Sequence, residues 1–356
     1  MTRARGVTLL ELMIAASITV TAIGATMGLV GYTGVLARHA DIVAESNNSA
    51  RLAGDSIAAV LRNSGMGGGQ GLYLAVGGST IMVNPIHGAD NLSLNYAGRS
   101  VNSSDDLWLI GPDKNAMRDS CNARGAYVSV IAAGLGPLTV VPFPSAPCTN
   151  PFANGDSLLV TNMNKSALLT NIDLTSHGPN EIGYNESAVS GFSNAPERGG
   201  FQVGDMAFRA RLVHFYLDIN PLTNRLALWQ ASGTIGPDFL GRPLNDIPAT
   251  RAVVQDFIED FQVVYWVDPT LSNDPAQYVI QHGMPAAYQA GVRSVTISVV
   301  ATTAKKLIDQ NNQVTLSPAT APKSVANHTV VATPDGFMRG IYTRRIEIPN
   351  LMSSNI

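Results

Sequence analysis

The chain has 356 residues, and only 14% of them are charged, which is low for a cytoplasmic helical protein. Its formal net charge of -3 at neutral pH argues against a nucleic-acid partner, because such partners are bound through an excess of Lys and Arg. Gly and Pro are frequent, with 33 and 20 residues, as is typical of loop-rich β domains. The length allows one large β-rich domain or two smaller ones beside a long helix.

The N-terminal apolar segment is the most informative part of the sequence. It runs from Val7 to Ala37, and Glu11 is its only charged residue. A membrane span needs about 20 apolar residues, so the run predicts a transmembrane helix. Arg3 and Arg5 precede it, and a basic flank of this kind stays in the cytoplasm. A carboxylate inside a span is costly and marks a functional site with a partner, although a plain anchor with an incidental Glu is an alternative.

The residues in front of this helix form a recognisable cleavage context. Gly6 is followed by Val7-Thr-Leu-Leu-Glu11 and then by the apolar run. This arrangement resembles the prepilin peptidase site of type IV pilins and type II secretion pseudopilins. The resemblance implies cleavage between Gly6 and Val7, methylation of the new N-terminal amine, and Glu11 as the fifth residue of the mature chain. Val7 stands where these families usually have Phe or Met.

The first helix is predicted to continue beyond the membrane, from Val7 to Arg62, which gives a rod of about 84 Å. Gly65–Gly71 is expected to end it. The expected segments are a leader at 1–6, a transmembrane or filament-core helix at 7–37 and a periplasmic half at 38–64. The stripe that would pack on a globular domain consists of Ile42, Val43, Ala50, Ala53, Ile57, Val60 and Leu61.

Four glycines in the membrane half of this helix permit two interpretations. Glycine weakens a helix interior, so the helix is predicted to loosen there when the chain enters a filament. The equal alternative is that small residues let neighbouring helices approach closely. The four residues are Gly24, Gly28, Gly31 and Gly34.

Residues 65–356 are predicted to form a β-rich domain of one lobe, or of two lobes at about 65–200 and 201–356. Alternation and β-branched residues indicate strands, and a hairpin is predicted around the turn at Asn220–Asn224. The segment 303–334 is polar and is predicted to be a long loop. The predicted strands lie at 106–110, 126–133, 138–141, 155–161, 167–170, 205–218, 225–230, 258–267, 291–302 and 340–348.

The two cysteines of the chain, Cys121 and Cys148, lack the spacing of zinc or redox sites. A strand, a turn at 134–137 and a second strand separate them, so a disulfide would clamp the open end of a hairpin. An exported domain is also a place where disulfides persist. We therefore predict that the two cysteines are bridged, with two free thiols as the alternative.

The order of the C-terminal segments resembles the PilW-type minor pilins, which are related to the J-type pseudopilins of type II secretion. The resemblance implies an α+β, pilin-like fold, in which a long N-terminal α-helix packs on an antiparallel sheet with additional β-rich insertions. Such insertions are expected at about 72–150 and 303–338. The segments that carry the resemblance are 155–160, 211–217, 225–229, 257–265, 291–298 and 342–350.

No catalytic or metal-binding motif accompanies these features, so we predict no enzyme activity, no cofactor and no metal site. The resemblance implies a minor pilin that primes a type IV pilus (a fimbrium used in cell adhesion and twitching motility) or lies at its tip. It implies a single-pass inner-membrane protein with a periplasmic C-terminal domain. Expected partners are other minor pilins, the major pilin, the prepilin peptidase, the assembly platform and, as an open point, a tip adhesin. A J-type pseudopilin and a membrane-tethered enzyme or lectin are the alternatives.

Overall fold

The computed structural model describes one long helix, α1 (Leu9–Leu61), and eighteen strands. The described residues are 8–64, 72–76, 79–96, 99–113, 125–131, 137–143, 148, 150–161, 166–169, 172–183, 203–233, 251–270, 272, 274–285, 291–308, 313–330 and 333–348. The strands of the first part are β1 (Leu72–Val76), β2 (Ser79–Val83), β3 (Ile86–His87), β4 (Leu92–Tyr96), β5 (Arg99–Ser104), β6 (Leu107–Pro112), β7 (Gly125–Ile131), β8 (Leu138–Phe143), β9 (Leu158–Thr161), β10 (Ser166–Leu169) and β11 (Glu181–Ile182). Those of the second part are β12 (Met206–Asn220), β13 (Arg225–Gly233), β14 (Ala252–Asp256), β15 (Ile258–Asp268), β16 (Val279–Gln281), β17 (Gly291–Thr302) and β18 (Arg339–Glu347).

Helix α1 has 53 residues and is therefore about 80 Å long. Thr8 caps its first turn, because its side chain accepts a hydrogen bond from a backbone N–H of that turn. The helix is continuous through residues 24–34 in the single chain, so the predicted loosening inside a filament stays a prediction. It ends at Leu61, shortly before the glycine cluster, which lies outside the described residues.

The two halves of α1 differ in burial. From Leu9 to Glu45 no side chain of the helix is buried, whereas the second half buries one side against the sheets. The predicted stripe is correct from Ala50 onward, where Val60 is half-buried and the other members are buried. It omitted the small residues Ser46, Gly54 and Ala58, and it included Ile42 and Val43, which are only half-buried. Small residues were missed because they give almost no hydrophobic signal, although they allow the closest approach of backbones.

Most described strands belong to one twelve-stranded sheet with β12 near its centre. The first part of β12 lies between β7 and β9, and its remainder lies between β6 and β13. Strands from both sides of residue 200 therefore share this sheet, so residue 200 is not a boundary between sheets. Almost all pairings are antiparallel, and β1 with β10 is a parallel pair.

A separate four-stranded antiparallel sheet has the order β16-β15-β17-β18. The largest core cluster joins α1 to the inner side chains of this sheet and of β6, β12 and β13. Phe215, Phe261 and Tyr265 are among its largest fully buried residues. A second core lies between the β7–β8 hairpin and β9, β10 and β12. The architecture is thus the predicted α+β arrangement, with the helix on an antiparallel sheet and β-rich additions.

The strongest predicted strands are confirmed. Strand β17 has the predicted bounds, and β12 and β13 form the predicted hairpin around a turn at 221–224. Strands β7 and β8 form the hairpin expected between the cysteines. The segment 303–338 has no long strand among its described residues, but it contains a short 3₁₀ helix, Pro318–Thr320.

Candidate functional site

The predicted processing and assembly residues lie at the start of α1. Gly6 and Val7 are outside the described residues, so the cleavage site stays a prediction. Glu11 and Thr8 form a capping box, in which the backbone N of Glu11 donates to Thr8 Oγ1 over 3.3 Å. The backbone N and the hydroxyl of Thr8 donate to Glu11 Oε2 over 2.9 and 3.0 Å. The carboxylate is exposed and therefore remains accessible to a partner from another chain.

The first half of α1 exposes a continuous apolar surface. Its large side chains, which include Leu9 at 80% and Met27 at 72% exposure, face outward in all directions. Burying a side chain of this size is worth about 1.5–3 kcal/mol, so such a surface is unfavourable in water. Among the described residues, α1 is the only helix long and apolar enough to cross a membrane. It is therefore compatible with a single-pass anchor.

The Ser and Thr side chains in this half are satisfied within the helix. Ser17, Thr19 and Thr21 each donate to the carbonyl oxygen four residues earlier over 2.8 Å, and Thr26 and Thr33 form similar bonds. Lipid offers no partner to a polar group, so bonds of this kind suit a helix surrounded by lipid or by other apolar helices.

The second half of α1 is held closely against β18. A Cβ on Gly54 would overlap the ring of Tyr342, and a Cβ on Gly340 would meet the backbone of Ser46 and Asn47. The Tyr342 hydroxyl donates to Asp55 Oδ1 over 2.8 Å. This hydrogen bond is the main cause that lowers the pKa of Asp55. Glycines on both elements thus set the distance between helix and sheet.

The four-stranded sheet, on which α1 packs, lies in the part of the chain that matches a known family. Residues 223–350 match PilW, the Type IV Pilus-assembly protein W family. The resemblance to PilW-type proteins that the sequence suggested is thereby confirmed over this segment. The PilW segment contains β13 to β18, and hence every described strand of the four-stranded sheet. Helix α1 packs on β14, β17 and β18, and all three strands lie in the PilW segment.

The other comparisons add little to this match. A type IV-like pilin from Thermus thermophilus is similar at 14% identity and a TM-score of 0.24, over 56% of this chain and 86% of its own. No curated protein matches the chain.

A buried polar network outside the helix bears on the alternative of an enzyme or lectin. Asp106 Oδ2 accepts from Trp108 Nε1 over 2.8 Å and lies 3.0 Å from His214 Nε2, and its Oδ1 accepts from the backbone N of Ala89 over 2.6 Å. The Trp108 ring is stacked on the His214 ring with 3.8 Å between the ring centroids, and it lies parallel to the His87 ring with 6.2 Å between the centroids. Burial lowers the pKa of His87 to about 4 and also lowers that of His214. Both imidazoles are therefore neutral near pH 7.

The cavity beside this network has a volume of about 400 Å³ and is lined by His87, Asp106, Trp108 and Met284, among others. Each oxygen of Asp106 already accepts at least one hydrogen bond from the protein, and the Trp108 ring is stacked on the His214 ring. The described residues contain no group of three or more His, Cys, Asp or Glu suited to a metal ion. We interpret the network as a structural link between β3, β6 and β12, in which His214 is a buried residue of β12.

Asp105 is a buried carboxyl that sequence reasoning missed. Its backbone N donates to Phe261 O over 2.9 Å, and its Oδ2 accepts from Val263 N over 2.6 Å. The residue therefore ties the start of β6 to β15 and joins the two sheets. Burial is the main cause that raises the pKa of Asp105 to about 8.

The predicted disulfide is described at one end. Cys148 is half-buried and disulfide-bonded. Cys121 lies outside the described residues, so the pairing of Cys121 with Cys148 stays a proposal.

Proposed function

We propose that the chain is a minor pilin that primes assembly of a type IV pilus or lies at its tip. One observation carries the proposal: a single helix joins an exposed apolar half, with one carboxylate near its start, to a half that packs on the PilW segment. The apolar half suits a membrane before assembly and a helical filament core afterwards. The β-rich domain then lies in the periplasm, and outside the cell after assembly.

Glu11 is the residue proposed to direct assembly. Its Oε2 accepts two bonds from Thr8, and its Oε1 has no partner among the described residues. Cleavage between Gly6 and Val7 creates a free α-amine, and an amine of a neighbouring subunit is the cation that an apolar environment requires beside a carboxylate. Processing by the prepilin peptidase and pairing in the filament are thus parts of one mechanism.

The experiment compares Glu11→Ala and Glu11→Gln with the wild type in the producing cell. Glu11→Gln keeps a side-chain oxygen for the capping box but removes the charge. We expect both variants to be inserted and cleaved, and both to give few pili, because neither pairs with an amine. Pilus counts and subunit recovery from sheared filaments are the measurements. Normal piliation with Glu11→Ala would contradict the pairing role, and normal piliation with Glu11→Gln alone would assign Glu11 to helix capping.

Cleavage is tested separately. N-terminal sequencing of the mature protein is expected to begin at Val7, and replacing Gly6 with a bulky residue is expected to leave the precursor uncut. Retention of Met1 in the mature wild-type protein would refute the processing step.

The same strains distinguish the pilus from a type II secretion system. If the chain acts in pilus assembly, its deletion reduces pilus number while secretion of exported enzymes continues. The opposite result would indicate a J-type pseudopilin. Co-purification of the domain from Ala37 onward then tests the proposed partners, which are the other minor pilins, the major pilin, the assembly platform and a tip adhesin.

A further inference from the structure

A small hairpin of the long C-terminal loop lies beside α1 close to the end of its apolar run. His39 Nε2 is 3.4 Å from Ile308 O, and Ile308 pairs with Val314 in an antiparallel bridge. The run from Val7 to Ala37 would span about 46 Å as a helix, which is close to the ~40–45 Å of a bilayer including its headgroups. His39 follows the run by two residues. If α1 crosses the membrane as proposed, this hairpin is at the level of the outer headgroups.

The hairpin exposes apolar side chains there. Ile308 and Val314 are each 42% exposed, and Leu316 is 64% exposed. Lys305 and Lys306 precede them and are also exposed. In the sequence 303–330, three lysines stand against one acidic residue, Asp309. Apolar side chains flanked by lysines are the composition that binds an anionic lipid surface.

The exposed side chains stand on a fixed support. The backbone N of Leu307 donates to Gly336 O over 2.7 Å, and that of Thr315 donates to Leu307 O over 2.8 Å. Leu307 itself is buried. Gly336 has a φ of +89°, and a Cβ there would overlap the side chain of Val314. The hairpin is therefore held in place by the domain. Val314 lies against Gly336, and Ile308, Val314 and Leu316 each keep a large exposed surface.

We propose that Ile308, Val314 and Leu316, together with Lys305 and Lys306, form a membrane foot that inserts into the anionic outer surface of the inner membrane. This inference rests on the proposed function, because that function places α1 in the membrane. Three apolar side chains bind lipid weakly on their own, but the helix holds them at a high effective concentration. The foot thus fixes the orientation of the domain before assembly and releases it when the helix leaves the membrane.

The test uses the full-length protein in phosphatidylethanolamine–phosphatidylglycerol vesicles, with an environment-sensitive dye on one introduced cysteine and brominated lipids as quenchers. Val314→Cys reports on the foot. Val279→Cys is the matched control, since Val279 is 49% exposed and lies on β16, which pairs with the end of β15 farthest from the foot. Met27→Cys reports on the helix.

We expect lipid quenching to be several-fold stronger at position 314 than at 279, and strong at 27. Leu316→Asp combined with Ile308→Asp should reduce the quenching at 314 to the level of 279 without changing that at 27. Lys305→Glu with Lys306→Glu should weaken quenching at 314 on anionic but not on neutral vesicles. Equal quenching at 314 and 279, with 27 quenched, would overturn the foot alone. An unquenched label at 27 would overturn both the foot and the proposed function. If the label at position 314 is shielded from solvent only in assembled filaments, the surface binds a neighbouring subunit instead of the membrane, and the foot is overturned.

Discussion

The close packing of α1 on β18 predicts an unusual sign for the substitution Gly54→Ala. In a helix interior, replacing Gly with Ala usually stabilises a protein by about 0.5–1 kcal/mol. Here the new methyl group would overlap the Tyr342 ring, which is half-buried and tied by its hydroxyl to Asp55. The ring cannot move away without losing that hydrogen bond. We therefore expect Gly54→Ala to destabilise the domain.

The magnitude follows from two opposing terms. Inserting a methyl group into a well-packed contact costs about 1–3 kcal/mol. The helical preference of Ala offsets about 0.5–1 kcal/mol of this cost. The free energy of unfolding is therefore expected to fall by about 1 kcal/mol, within a range of about 0–2.5 kcal/mol. In a Tyr342→Ala background the overlap is absent, so the same Gly54→Ala substitution should raise the free energy of unfolding by about 0.5–1 kcal/mol.

Urea unfolding of the chain from Ala37 onward measures all four proteins of this cycle, because none of the described side chains before Ser46 is buried. A coupling energy of about 1–3 kcal/mol between positions 54 and 342 is expected, as for residues in direct contact. If Gly54→Ala stabilises the protein equally with and without the Tyr342 ring, the helix does not lie as close to β18 as described.

Two further predictions concern the β-rich domain. The pKa of Asp105 is raised to about 8, whereas an unfolded Asp titrates near 4, so the folded state holds an extra proton between these values and loses stability as pH rises through about 8. Urea unfolding between about pH 5.5 and 7 should show a fall of about 1.4 kcal/mol per pH unit that Asp105→Asn abolishes, and parallel pH profiles would contradict the assignment. If Cys121 and Cys148 are bridged, a non-reducing digest contains their linked peptides, and the double Cys→Ser variant loses about 3 kcal/mol of stability. Two alkylatable thiols in the native protein would disprove the bridge.

Prediction of the strands from sequence succeeded where a strand is long and central. Strands β12, β15 and β17 have 15, 11 and 12 residues, and their buried faces give a clear apolar pattern. Strands β1 to β5, β11, β14 and β16 were not predicted. They have two to six residues, and a strand that short shows too few alternations to be distinguished from a loop.

The sequence by itself determined the features that depend on neighbouring residues. The apolar run after Gly6, the position of Glu11 and the hairpins around 134–137 and 220–224 follow from local composition and turn chemistry. The PilW-type pattern is also a property of the sequence, and the match at 223–350 confirms it.

Tertiary structure alone decided the features that depend on distant residues. The close contact between Gly54 and Tyr342 joins positions that are 288 residues apart. A glycine carries no apolar signal that would reveal such a contact in the sequence. The raised pKa of Asp105 arises because β15, more than 150 residues later, removes its carboxyl from water. The contact of Ile308 with His39 places an ordinary polar loop beside α1, just after the end of its apolar run. Burial and proximity are created by folding, so no local pattern encodes them.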